Sequence, residues 1–177
     1  MSQKYFFIII NIFLGPLLLY TYYRGVTKNS EIAAQLWGGV PPSLTPYIVT
    51  SMFIGALGYF FFTYYLIFEI NQDDLLVFNK YSFSIFIILY LLILIPSCFW
   101  IDLSINYLIN GNPIIWKLIV TVLYTVGISS VILLLCLINI KPNEPSLIYK
   151  LSIIGCCFFT FHTMFLDGLL WTIFFHK

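Results

Sequence analysis

Long uncharged runs separate the charged residues of this sequence, and their lengths restrict the fold more than any other feature. Four of these runs contain nineteen, thirty-seven, twenty-one and twenty-three residues; they lie between Lys4 and Arg24, Glu31 and Glu69, Lys80 and Asp102, and Lys117 and Lys141. A helix needs about 20 apolar residues to cross the hydrocarbon core of a bilayer. The runs therefore predict transmembrane helices at about 5–23, 46–69, 81–101 and 116–140.

A fifth apolar stretch, at about 148–175, contains a single acid, Asp167, and is predicted to be a fifth span. None of these stretches shows the apolar/polar alternation that the strands of a membrane barrel require. Short connections rich in Gly, Pro, Asn and Asp make neighbouring helices antiparallel. The sequence thus predicts an all-α integral membrane protein, a five-transmembrane-helix bundle forming one membrane domain over 1–177. The first stretch is too long for a signal peptide, so we expect it to be retained.

Composition excludes several other classes of protein. Hydrophobic residues make up 61% of the chain and charged residues 8%, against about 25% charged residues in soluble domains. A net charge of +1 provides no basic surface for a nucleic acid. Lys and Arg divide four against four between the two sides of the predicted bundle, so the positive-inside rule assigns no orientation. The four cysteines lie within predicted spans, without metal-ligand spacing, and are interpreted as small buried apolar residues; they are Cys98, Cys136, Cys156 and Cys157.

Asp167 is the one acid well inside a predicted span. An ionisable group at that depth is a candidate functional residue. On an α-helix, Thr160, Met164, Asp167 and Trp171 lie along one stripe, which would form the polar wall of an internal cavity. The alternative is that Asp167 is neutral and only holds the bundle together through a hydrogen bond to a neighbouring helix. The sequence leaves both interpretations open.

His162 precedes Asp167 by five residues. On an α-helix this spacing places the two side chains about 140° apart, so they are not expected to form a pair, and His162 is interpreted as a packing residue. No His or Glu stands at metal-ligand spacing, which gives a metal site no support. A membrane enzyme that transfers protons would need several convergent ionisable groups. The sequence therefore leans against an enzyme.

Aromatic residues form 20% of the chain. Tyr20, Tyr22 and Tyr23 at the end of the first span are expected in the aromatic belt of the membrane interface. Aromatic side chains inside a bundle would instead form a flat pocket suited to a planar ligand. Composition alone does not separate these two uses.

The connection at 24–45 is the one loop long enough to fold over a cavity. It contains Trp37, two glycines, and Pro41 and Pro42, which stiffen the chain before the second span. As a lid, this segment would exclude water from a pocket. As an interfacial anchor, it would hold Trp37 at the depth that tryptophan prefers.

Several of these elements, at these positions, resemble the translocator protein / tryptophan-rich sensory protein family. That family has a Trp-x-Pro-Pro element before its second helix and a Gly-Tyr sixteen residues later, which Gly58-Tyr59 matches here. Its third helix has Leu-Tyr about ten residues before a Trp, which Leu89-Tyr90 and Trp100 match, and its fifth has a Leu-Asn-x-x-x-Trp type element, echoed at 166–171. Trp37 stands four residues before Pro41 rather than two, and Asp167 replaces an amide.

The resemblance implies a pocket near the first two helices, capped by the first loop, that binds tetrapyrroles or sterol-like molecules, and it implies a possible homodimer. The positions it carries over as ligand-binding are Pro41, Pro42, Tyr59, Trp100, Asp167 and Trp171, with Trp37 by displaced analogy. Under this resemblance a tetrapyrrole would be bound as a ligand, and the sequence identifies no cofactor.

The sequence leaves two functions in competition. The first is a sensor or carrier in the bilayer that binds a planar hydrophobic molecule in an intrahelical cavity. The second is an accessory or assembly subunit of a larger membrane complex, without a small-molecule site. Rows of small and hydroxylated residues, which let helix backbones approach closely, fit the second function as well as the first.

Overall fold

Five long helices make up most of the computed structural model, which describes residues 3–142 and 144–176. Their bounds are Gln3–Lys28 (α1), Thr45–Phe68 (α2), Ser84–Asn110 (α3), Pro113–Ile140 (α4) and Leu147–Phe174 (α5). Each is long and apolar enough to cross a membrane. The prediction of an all-α, five-helix, multi-pass membrane protein is confirmed.

Three of the helices extend further than their uncharged runs: α4 begins at Pro113, ahead of Lys117, and α1 and α3 continue at their C-terminal ends. α1 continues past Arg24 to Lys28, and α3 continues past Asp102 to Asn110. The Arg24 guanidinium donates a hydrogen bond to the Asp102 carboxylate, which joins the two extensions. Because each charge meets an opposite charge on the neighbouring helix, neither residue ends its helix, and the uncharged runs underestimate the helix lengths.

A two-residue turn separates α3 from α4. Gly111 ends α3 in the left-handed conformation, with φ of 64°, which glycine adopts without the steric cost that other residues meet. The Asn112 side chain accepts a hydrogen bond from the Ile114 amide and so caps α4. Pro113 follows as the first residue of α4, where no N–H is needed. The run Asn110-Gly111-Asn112-Pro113, made of residues that favour turns, thus forms the connection.

The helices follow one another around the bundle in the order α1, α3, α4, α5, α2, with packed faces between successive members. α2 and α5 approach most closely at Gly58 and Gly155, where a Cβ added to Gly58 would lie 2.4 Å from the Gly155 carbonyl oxygen. Beside this contact, the Ser152 hydroxyl donates to the Phe61 carbonyl oxygen across 3.0 Å. α1 and α2 are linked by a hydrogen bond from the Tyr59 hydroxyl to Asn11 Oδ1.

The apolar core has two main parts. One lies toward the start of α1 and includes Phe7, Phe62 and Tyr90, all fully or almost fully buried. The other lies toward the turn between α3 and α4 and is centred on Trp171 and Phe175. A segment at 29–44 covers the second part; it contains the short helical turns Ser30–Ala33 and Ala34–Trp37. We call residues 29–44 the cap.

Candidate ligand-binding site

The final helix changes its geometry within the membrane. α5 is α-helical over Leu147–Thr160, adopts π-helical geometry over Phe161–Trp171, and ends with an α-helical turn, Thr172–Phe174. In a π-helix the backbone hydrogen bonds run between residues five apart instead of four. The turn is therefore wider, and side chains at i and i+5 lie on the same side. We call Phe161–Trp171 the π segment.

This geometry brings His162 and Asp167 together. The Nε2 atom of His162 lies 3.4 Å from Oδ2 of Asp167. The sequence-based expectation that these residues point about 140° apart is wrong, because it assumed 3.6 residues per turn throughout the helix. Asp167 was named from the sequence as a candidate functional residue because of its depth in the span. Its partner His162 was missed, because no local sequence signal distinguished the π segment from an α-helix.

The π segment is fastened to α4 by hydroxyl groups. Thr160 Oγ1 donates to the Ser130 carbonyl oxygen across 3.0 Å, and Thr163 Oγ1 donates to Ser130 Oγ across 2.8 Å. Met164 packs against Gly127, where an added Cβ would lie 2.8 Å from its sulfur. Thr160 and Met164 therefore contact α4, as Trp171 does through Trp116. The π segment does not keep the α-helical spacing on which their predicted stripe with Asp167 rests.

His162 packs against α2, where a Cβ added to Gly55 would lie 3.8 Å from the His162 Cβ. The Asp167 side chain keeps 36% of its surface exposed, whereas that of His162 keeps 12%. Thr163 and Trp171, four residues to either side of Asp167, are buried.

Aromatic rings from α1, α3 and α5 contact one another in the part of the bundle that the cap covers. Tyr22 of α1 stacks on Trp100 of α3, with ring centroids 5.5 Å apart and an interplanar angle of 25°. Trp100 in turn meets Trp171 edge-on at 5.8 Å. Tyr22 differs from its neighbours Tyr20 and Tyr23, which are exposed, because its ring stacks on Trp100. The assignment of these tyrosines to the interfacial belt stays a prediction.

All four tryptophans of the chain belong to the aromatic cluster around Trp171. Trp116 stacks on Trp171 at 5.8 Å and on Phe175 at 5.1 Å, and Trp37 packs against the same cluster from the cap. Three tryptophans named from sequence, Trp37, Trp100 and Trp171, are thus brought together. Trp116 was not named.

The cap is bonded to the end of α5. Trp171 Nε1 donates a hydrogen bond to the Leu36 carbonyl oxygen across 2.8 Å, and the Gly39 amide donates to the Phe174 carbonyl oxygen across 3.1 Å. Gly38, with φ of 53°, lies so close to Phe175 that an added Cβ would be 2.6 Å from its carbonyl oxygen. The segment interpreted from sequence as a lid or an anchor therefore packs on the bundle through its backbone and through the buried side chains of Leu36 and Val40.

The remaining named residues lie elsewhere. Pro41 is half-buried in the cap and accepts a hydrogen bond from the Leu44 amide, and Pro42 is exposed. Tyr59 belongs to the other part of the core, where its ring contacts Phe62 at 5.4 Å. The structure does not bring Tyr59 into the cluster around Trp171.

Several buried polar atoms near this region have no hydrogen-bond partner within the described part of the chain; they are Trp100 Nε1, Ser104 Oγ, His162 Nδ1 and Ser51 Oγ. Leaving a buried donor or acceptor unpaired costs about 1–3 kcal/mol.

Two hollows open on the outer surface of the bundle. One, of about 150 Å³, lies between the start of α2 and the π segment and is lined by Leu44, Tyr47, Ile48, Ser51, Phe161, Leu166 and Leu170. The other lies at Cys157, Phe158 and Phe161. Cys157 is exposed there, so the expectation that all four cysteines are buried is wrong for this one. Neither lining includes Asp167.

The described residues, 3–142 and 144–176, contain no group of three His, Cys, Asp or Glu side chains placed to hold a metal ion. Comparison with protein-family models, with curated proteins and with solved structures finds no match for the chain. The candidate site is therefore defined by its own geometry: a paired carboxyl and imidazole, aromatic rings from α1, α3 and α5, and a bonded cap.

Proposed function

We propose that this membrane protein binds a planar hydrophobic molecule of tetrapyrrole or sterol size, as a sensor or carrier, in a cleft between Tyr22, Trp100 and the π segment. We call this the interior cleft. The observations that carry the proposal are the aromatic rings that converge beneath the cap and the His162–Asp167 pair, which lies in the same π segment as Trp171. Apolar pockets with a few convergent polar groups are the usual form of small-molecule sites.

The other parts of the site support the same function. Flat rings favour a flat ligand, because offset and edge-on ring contacts each add about 0.5–1.5 kcal/mol beyond the burial of their area. Asp167 and the unpaired Trp100 Nε1 supply hydrogen-bonding positions. The cap, bonded to Trp171 and Phe174, separates this aromatic region from the aqueous phase on its side. We also propose, on the sequence elements described above, that the chain is a distant relative of the translocator protein family.

The four clustered tryptophans provide the test, because their fluorescence is quenched when a chromophore that absorbs their emission binds nearby. The purified protein in mild detergent is titrated with an uncharged porphyrin ester and with a fluorescent sterol. We expect saturable quenching that weakens in Trp100→Ala and in Asp167→Ala. The matched control is Phe60→Ala, which removes a ring on the exposed outer face of α2. Non-saturable quenching, or equal affinity of all variants for the probes, would contradict binding at the proposed site.

One observation favours the competing function, an accessory or assembly subunit. α1 is the least enclosed span, with 17% of its most apolar window buried against 33–44% in the other four. Its outward side chains include Ile12, Phe13 and Leu19, all strongly exposed. Lipid covers such a face in a monomer, and a partner helix covers it in a complex. Purification in mild detergent distinguishes the two: a stoichiometric second polypeptide supports the subunit, and a monomer or homodimer that binds the probes supports the receptor.

A further inference from the structure

We propose that the hollow between the start of α2 and the π segment binds one acyl chain of a bilayer glycerolipid, whose ester carbonyl oxygen accepts a hydrogen bond from Ser51. We call this hollow the lipid groove. It is a second site, separate from the interior cleft, and the proposal does not depend on the function assigned to that cleft. The walls of the groove, its size, the Ser51 hydroxyl group and the depth of that group carry the proposal.

The π geometry forms one wall of the lipid groove. Phe161 and Leu166 both line it, and they are five residues apart. An α-helix would place their side chains about 140° apart, whereas the π segment places them on the same side. Leu170 continues this wall, and Leu44 and Ile48 line the groove from the other side. The groove therefore presents apolar walls to the lipid between two neighbouring spans.

The size of the groove favours a chain over a ring system. Its volume is about 150 Å³, whereas pockets that enclose a drug-sized molecule measure about 300–1,000 Å³. A tetrapyrrole or another fused-ring ligand would therefore not fit inside it. A single alkyl chain is narrow and flexible enough to lie along it, and the surrounding bilayer supplies such chains at high concentration.

Ser51 supplies a hydroxyl group to the lipid groove. Serine and threonine within helices can bond back to the carbonyl oxygen four residues earlier, as Thr50 does to Pro46 across 2.8 Å and Ser97 does to Ile93 across 2.7 Å. Ser51 lines the groove, but its Oγ is buried without a hydrogen-bond partner among the described residues. A buried hydroxyl group left unpaired costs about 1–3 kcal/mol. A carbonyl oxygen that accepts its proton removes this cost.

The depth of Ser51 favours an ester over a charged headgroup. α2 has 24 residues and is therefore about 36 Å long, so when centred in the bilayer it exceeds the hydrocarbon core of about 30 Å by about 3 Å at each end. Ser51 lies about 9 Å along the axis from Thr45, the first residue of α2. Its hydroxyl group is thus about 6 Å inside the hydrocarbon region. A charged group is too costly to bury at that depth, but the uncharged esters of glycerolipids lie close to this boundary.

An ester lipid and an ether lipid of the same shape test the proposal. Dioleoyl phosphatidylcholine and its diether analogue share a headgroup and chain length, but the diether lacks the carbonyl oxygens. Each is titrated into the purified protein in mild detergent, and native mass spectrometry measures the fraction of protein that carries a bound lipid. Ser51→Ala removes the donor, and Leu166→Trp fills the groove. The matched control is Thr50→Ala, which removes the neighbouring hydroxyl group that is already bonded to its own helix.

We expect wild type and Thr50→Ala to bind the diester about fivefold more tightly than the diether, and Ser51→Ala to bind both lipids alike. Leu166→Trp should bind both lipids more weakly than wild type does. Unfolding midpoints are compared, so that a loss of fold is not counted as a loss of binding. The proposal is overturned if wild type binds the two lipids alike, or if Ser51→Ala keeps the preference for the diester. Unchanged lipid binding in folded Leu166→Trp would show that the chain lies elsewhere and would also overturn it.

Discussion

His162 and Asp167 are five residues apart in the chain, and their side chains lie 3.4 Å apart because the helix between them has π geometry. Single turns of π-helix are uncommon in proteins and occur often at functional sites. Here the geometry extends over eleven residues, Phe161–Trp171. It has two ends that are held independently: hydroxyl groups of α4 at one end and the cap at the other.

The i,i+5 arrangement predicts where an engineered metal site will form. In Asp167→His, two imidazoles at positions 162 and 167 should share a zinc or nickel ion, because the π segment places them side by side. In Phe165→His, the pair at 162 and 165 has i,i+3 spacing, which suits an α-helix but not a π-helix. We expect metal-dependent thermal stabilisation in the first variant and none in the second. The reverse result would show that the segment is α-helical.

The hydrogen bond from Trp171 to Leu36 predicts a specific effect on the cap. Trp171→Phe keeps a ring in the cluster but removes the donor, leaving the Leu36 carbonyl oxygen unpaired. We expect a loss of about 1 kcal/mol, seen as faster hydrogen exchange of amides within 29–44. Trp116→Phe is the control, since Trp116 contributes ring stacking to the same cluster. If both variants change exchange in the cap equally, the effect arises from packing and not from the hydrogen bond.

Gly38 tests how closely the cap is fitted to the end of α5. Gly38→Ala adds a methyl group 2.6 Å from the Phe175 carbonyl oxygen at a positive φ, so backbone strain and a steric clash act together. Gly111→Ala also has a positive φ, but no atom lies within 4 Å of its added Cβ, and it should lose only the conformational term of about 1–2 kcal/mol. Thermal unfolding in detergent should therefore show the larger loss for Gly38→Ala. An equal loss would mean that the cap moves to accommodate the methyl group.

The contact between α2 and α5 gives a further test. Gly58→Ala would place a methyl group against the Gly155 backbone, which cannot move aside as a side chain does. Overpacking of this kind destabilises by about 1–3 kcal/mol. Gly15→Ala, at a position with no atom within 4 Å of the added Cβ, should be neutral or stabilising by up to about 1 kcal/mol. The measurement is the detergent-solubilised midpoint of unfolding, and equal midpoints would contradict the close approach.

Much of the fold follows from the sequence because a bilayer accepts few solutions. Uncharged runs of about 20 residues fix the number of spans, and the Asn110–Pro113 signal marks one turn. The ends of the helices could not be predicted from the uncharged runs. Arg24 and Asp102 were used as helix boundaries, but they pair with each other inside helices that extend beyond them. A pair between distant residues has no signature in either local segment.

Part of the site could also be read from the sequence. Trp37, Trp100, Trp116 and Trp171 all fall near the same side of an alternating five-span topology, and this pattern alone anticipates their clustering. The His162–Asp167 pair could not be anticipated, since the choice between π and α geometry depends on contacts with α4 and the cap. Tyr59 is a different case: the family resemblance named it as a ligand-binding residue, but it lies in the other part of the core and not in the cluster around Trp171.

The glycine contact between α2 and α5 has a mechanical consequence. The backbones of α2 and α5 are in contact at Gly58 and Gly155, and Ser152 donates a hydrogen bond to the Phe61 carbonyl oxygen beside this contact. The two helices are therefore held together at one level of the membrane. The π segment begins six residues beyond Gly155. If α2 and α5 separate to admit a molecule from the lipid, we expect the contact at Gly58 and Gly155 to stay fixed and the movement to occur on the part of α5 that bears Asp167.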